Sequence, residues 1–117
     1  MKYENLINQM KADKILDERG LWIYALQKGH KEKASFVAQG RVLLSIYADS
    51  LLIHRAVFEE SYSICLASYN LYDLEDVKGR AGLLGGILHF RVEGFYHHFQ
   101  LPVKAKKFVD FIMEQAV

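Results

Sequence analysis

Apolar and polar residues alternate from residue 87 to residue 101 on both sides of a Glu93-Gly94 pair. This stretch constrains the fold more than any other. Leu88, Phe90 and Val92 share one face of a first strand, and His89, Arg91 and Glu93 share the other. Glu93-Gly94 makes the turn, and Phe95-Tyr96-His97-His98-Phe99-Gln100-Leu101 returns as the partner strand. The chain's only proline, Pro102, comes next and is expected to open a final helix at its first position. Ala105, Phe108, Val109, Ile112, Met113 and Ala116 then form one apolar stripe, which must be buried against the sheet. Aromatic residues, 13% of the chain, suit a pleated and half-buried surface.

Upstream, residues 3–18 read as a helix. Leu6, Ile7, Met10, Ile15, Leu16 and the stem of Lys14 recur at helical spacing, and Gly20 supplies the stop. Residues 21–28 read as a strand and residues 29–35 as a polar loop. Residues 40–47 and 51–57 form a hairpin around Ala48-Asp49-Ser50. A strand over 62–69 places Ile64 and Leu66 on one face. An edge-like strand over 71–78 turns Tyr72, Leu74 and Val77 inward and its acids outward. Residues 79–86 form a glycine-rich connection. Its Leu83 and Leu84 either remain exposed as a contact or fold back over the barrel mouth.

The 117 residues fit one domain, with 51% hydrophobic and 25% charged residues typical of a globular chain. The N-terminus lacks a signal-peptide pattern, and no apolar run reaches the length of a membrane helix. The expected location is the cytoplasm. With 15 basic and 14 acidic residues the net charge is +1, so a nucleic-acid partner is not expected. The single cysteine, Cys65, sits in an apolar stretch and reads as a small buried hydrophobe.

This order of elements resembles the bacterial pleckstrin-homology-like domains over residues 15–116. The residues that carry the resemblance most clearly are 71–113. They run Leu-Tyr-Asp-Leu-Glu-Asp-Val-Lys, then Gly-Leu-Leu-Gly-Gly-Ile-Leu-His-Phe-Arg-Val, then Tyr-His-His-Phe-Gln-Leu-Pro and a helix containing Lys107-Phe108-Val109. The resemblance implies a mainly β fold: a partly open antiparallel barrel of about seven strands, plugged by the last helix. Residues 1–19 would then be an extra N-terminal helix, and residues 20–117 the barrel with its capping helix. That fold hosts lipid, peptide and protein binders, so it does not name a ligand.

Candidate sites follow from residue types. Leu83, Leu84, Leu6 and Met10 are candidates for protein contact, because the N-terminal stripe must pack on the barrel or on another chain. Trp22 reads as core. Lys28, His30, Lys31, Lys33 and Arg41 are candidates for an anionic ligand such as a lipid head group. Against that, Leu43 stands where a second basic residue would be expected, and Glu32 offsets charge in the loop. His97 and His98 point to opposite faces, while His89 and His98 are expected as cross-strand neighbours; no four-ligand metal set is assembled. The acids Glu59, Glu60, Asp73, Glu75 and Asp76 read as a solubilising face. The run 79–86 lacks the Gly-Lys-Ser/Thr ending of a phosphate loop. No cofactor and no catalytic set is implied. The leading expectation is a non-enzymatic binding or assembly module with a protein partner or self-association. The runner-up is a peripheral module for anionic lipid head groups.

Overall fold

A computed structural model describes residues 3–28, 40–57 and 60–115. A short helix α1 (Glu4–Ala12) precedes strands β1 (Trp22–Lys28), β2 (Gly40–Tyr47), β3 (Ser50–Arg55) and β4 (Cys65–Asn70). A 3-10 turn (Leu71–Asp73) leads to β5 (Glu75–Gly82), β6 (Gly85–Val92), β7 (Phe95–Leu101) and helix α2 (Lys106–Gln115). The seven strands form one antiparallel sheet in the order β4-β3-β2-β1-β7-β6-β5.

That order forces the sheet to curl. In a flat sheet β4 and β5 would lie about 29 Å apart at the usual strand spacing. Only residues 71–74 join them, and such a link reaches at most about 18 Å. The result is the partly open barrel that the sequence pointed to. Its interior holds Ile23, Leu44, Ile46, Leu51, Ile53, Leu88, Phe90, Val92 and Phe99. Helix α2 closes it with Phe108, Val109 and Ile112, packed along β5. Gly79 makes that approach feasible, since a Cβ there would lie 2.8 Å from Val109 Cγ1. The β6–β7 hairpin is as read, with Glu93 and Gly94 both at positive φ (51° and 82°).

A second apolar cluster lies on the outer face of the sheet. Leu6, Met10, Ile15 and Leu16 pack there against Leu43, with Trp22, Tyr24 and Leu52 at the margin. This explains why β2 is buried on both faces from Val42 to Ile46.

Several local expectations are corrected. The first helix ends at Ala12, not near residue 18. Lys14 takes the left-handed conformation (φ 59°), its N–H bonds the Lys11 carbonyl, and the Ile15 N–H bonds the Met10 carbonyl. This is a Schellman stop built on lysine instead of glycine. Ile15 and Leu16 reach the same cluster from beyond the reversal, and Lys14 is exposed. Gly20 instead closes a separate turn by bonding the Asp17 carbonyl.

Residues 71–78 do not form one strand. Asn70 Oδ1 accepts the Tyr72 N–H at 2.8 Å and winds the 3-10 turn. Leu71 is therefore buried, while Tyr72 is 66% exposed. Residues 79–86 are not a loop but the paired ends of β5 and β6 around Leu83-Leu84. Cys65 and Ile64 are exposed, because β4 begins only at Cys65 and its register shifts between Ile53 and His54. Pro102 lies outside α2, which starts four residues later. Ala116 falls outside the described residues.

Candidate functional site

Strand β1 sits between β2 and β7, but only part of it is paired on both sides. Leu26, Gln27 and Lys28 pair with Gln100, Phe99 and His98 of β7. Continuing that register would set Tyr24 against Pro102, which has no N–H to offer. The chain instead turns away through Val103 and Lys104, the latter at φ 65°.

The direction of each β1 peptide follows from one bond. Ile46 N–H donates to the Leu21 carbonyl at 3.0 Å, so Leu21, Ile23 and Ala25 aim their backbone groups at β2. Trp22 and Tyr24 must aim theirs the opposite way, toward the gap that β7 leaves. Among the described residues nothing pairs with them there. Two N–H groups and two carbonyls thus form a short open edge in the middle of the sheet.

A groove of about 780 Å³ runs along this edge. Trp22, Tyr24 and Leu26 line one side and residues 100–104 the other. Tyr3 packs edge-on against Trp22, with ring centroids 5.2 Å apart, and Trp22 against Tyr24 at 5.6 Å. The Arg41 guanidinium lies 4.0 Å from the Tyr24 ring centroid and donates to the Val57 carbonyl at 3.3 Å. Leu26 and Val103 are exposed apolar side chains on opposite walls. Among the described residues of the lining, Arg41 and Lys104 are the cations and none is a carboxylate. An extended chain could add to the edge and place one apolar side chain between the walls.

No protein-family model and no curated protein matches this sequence.

The other polar constellation is sealed inside the barrel. His97 Nδ1 lies 2.5 Å from Gln27 Oε1, and His97 Nε2 lies 2.7 Å from the Tyr69 hydroxyl. The Gln27 oxygen can only accept, which places the ring proton on Nδ1 and leaves Nε2 to accept from Tyr69. Burial pushes the His97 pKa down to about 4, so the ring is neutral. Burial, and then the Glu93 charge, push the Tyr69 pKa up. The trio ties β1, β4 and β7 together. With His97 and Gln27 both buried it offers a substrate no approach.

Under α1, His54 stacks edge-on with Tyr62 and has an unpartnered Nδ1, and burial lowers its pKa against the opposing Asp13 charge. Tyr62 donates to Asp13, which also accepts from Gln9 Nε2 at 2.9 Å. These bonds, that from Gln9 foremost, hold the Asp13 carboxyl below its usual range. They dock the helix to the segment before β4.

The residues singled out from sequence divide as follows. Leu6 and Met10 are 2% and 0% exposed, packed between α1 and the outer face of the sheet. Leu83 and Leu84 are 95% and 98% exposed and do not fold over the barrel mouth. Lys28 and Arg41 share the outer face, with Arg41 opposite Leu26, two residues before Lys28. Lys31, Lys33 and His30 lie outside the described residues, as do Glu32 and Glu59. His89 and His98 are cross-strand neighbours with ring centroids 5.9 Å apart. No group of three or more metal-ligating side chains occurs among the described residues. Nor is any described helix long and apolar enough to cross a membrane.

Sequence reading missed the β1 edge; Trp22, read as core more than as contact, is partly buried against the outer cluster and also lines the groove. The available signal was Pro102, the sole proline, placed directly after the last strand.

Proposed function

We propose that this chain is a non-enzymatic binding module that captures an extended peptide segment by strand addition at β1. The observation that carries the reading is the backbone of Trp22 and Tyr24, which no described residue pairs on the β7 side, along an aromatic groove. Main-chain hydrogen bonds would supply register, and the Trp22–Tyr24 wall would supply a seat for an apolar side chain. Arg41 and Lys104 favour a carboxylate beside that side chain. The segment could belong to another protein or to a second copy of this chain. Among the described residues the groove's polar lining consists of backbone, the Tyr3 and Tyr24 hydroxyls, the Trp22 indole, Gln100, Arg41 and Lys104.

The curled seven-stranded order with a closing helix supports reading the chain as a bacterial pleckstrin-homology-like domain. A head group held by Lys28, Lys31, Lys33 and Arg41 is the alternative reading, supported by Lys28 and Arg41 sharing the outer face.

The test is selection from a displayed random-peptide library on the immobilised chain, followed by amide chemical-shift mapping. Selected peptides should carry one large apolar residue next to an acid and should shift Trp22 and Tyr24. In Arg41→Glu the acidic preference should disappear. Peptides that map to β4 or β5 instead would overturn the proposal.

A further inference from the structure

The β5–β6 hairpin turns through Leu83 and Leu84 alone, and these are the most exposed large apolar side chains described. Its base is fixed, not loose. A Cβ at Gly85 (φ 120°) would lie 2.6 Å from the Leu101 carbonyl oxygen and 3.7 Å from the Pro102 carbonyl carbon. The next residue, Val103, is 53% exposed, so a third apolar side chain begins beside the hairpin base.

Charge is segregated along this stretch of the sequence. Residues 77–109 hold six of the chain's 15 Lys and Arg but only one of its 14 Asp and Glu. That acid, Glu93, occupies the β6–β7 turn at the far end of the ladder, about 25 Å away at the usual strand rise. Arg80 lies three residues from Leu83, Lys104 follows Val103, and Lys107 lies in the first turn of α2. Lys106 is paired with Asp110, whereas Lys78, Arg80, Lys104 and Lys107 have no carboxylate in ion-pair range among the described residues.

A narrow apolar prong is a poor protein interface. Stable complexes bury about 1,200–2,000 Å² in total, while two leucines and a valine offer only a few hundred. A bilayer interface is soft, accepts apolar groups to a depth of about 5–10 Å, and when anionic attracts the flanking cations. We propose that the β5–β6 tip is a membrane-docking prong. Leu83 and Leu84 enter the interfacial region of an anionic bilayer, and Arg80, Lys104 and Lys107 lie against its head groups.

Flotation with phosphatidylcholine vesicles, with and without phosphatidylglycerol, tests this directly. The chain should float with the anionic vesicles and not with the neutral ones. Leu83→Ser combined with Leu84→Ser should weaken flotation at least about tenfold. Arg80→Glu with Lys104→Glu should abolish it. Both variants should melt like the parent, since the altered side chains are exposed. Leu84→Trp should blue-shift its fluorescence only on anionic vesicles. Equal flotation of the double serine variant, equal binding to neutral vesicles, or no flotation at all would overturn the proposal. So would a dimer that depends on Leu84 in a chain that ignores vesicles.

Discussion

His97 should contribute to the weakening of this fold in acid. Its pKa falls from 6.5 to about 4 because the ring is buried among β1, β4 and β7. With the folded value depressed, the unfolded chain binds the proton better between those two limits. The His97 contribution is therefore complete above about pH 6.5, falls as pH drops, and levels off below about pH 4. The loss is about 2 kcal/mol at pH 5 and approaches about 3.4 kcal/mol at its limit. His97→Gln removes the titration while keeping a donor for Gln27 and an acceptor for Tyr69. Urea unfolding of both proteins at pH 7 and pH 5 isolates the effect, since His54 and the carboxylates are common to both. The parent should lose about 2 kcal/mol more than the variant over that interval. Equal losses would refute the reasoning, and so would a larger loss in the variant.

Two further outcomes follow from burial. Leu6→Ala, under α1, should cost about 2–5 kcal/mol by urea unfolding, whereas Leu84→Ala should stay within about 0.5 kcal/mol of the parent. Gly79→Ala sets a methyl group 2.8 Å from Val109 Cγ1. It should cost about 1–3 kcal/mol by overpacking, and Val109→Ala in the same chain should recover part of that loss.

Much of the barrel was legible because its strands alternate. Leu88, Phe90 and Val92 declare a face at every second residue, and all three are buried. The misreadings have a common origin in local hydrogen bonds that periodicity does not report. Lys14 stops α1 in a conformation usually reserved for glycine, so apolar spacing ran on past the true end. The Asn70 side chain winds a turn where alternation suggested a strand, exchanging Tyr72 for Leu71 as the buried residue. Cys65 was read from its apolar neighbours, but the register shift at Ile53/His54 leaves it on the surface. The groove was the least legible feature. It depends on where β7 stops pairing with β1, and the partners are separated by 70 residues or more. Among the protein-contact candidates, the apolar residues of α1 proved to be core and those of the β5–β6 tip proved to be surface. Residue type alone does not separate the two cases.

Residue-resolved amide hydrogen exchange of the free chain tests the open edge most directly. In β1 the Ile23 and Ala25 amides point to β2 and should be strongly protected. The Trp22 and Tyr24 amides point into the groove and should exchange orders of magnitude faster. Uniform protection from Trp22 to Leu26 would mean that the edge is already filled, and the docking groove would not exist.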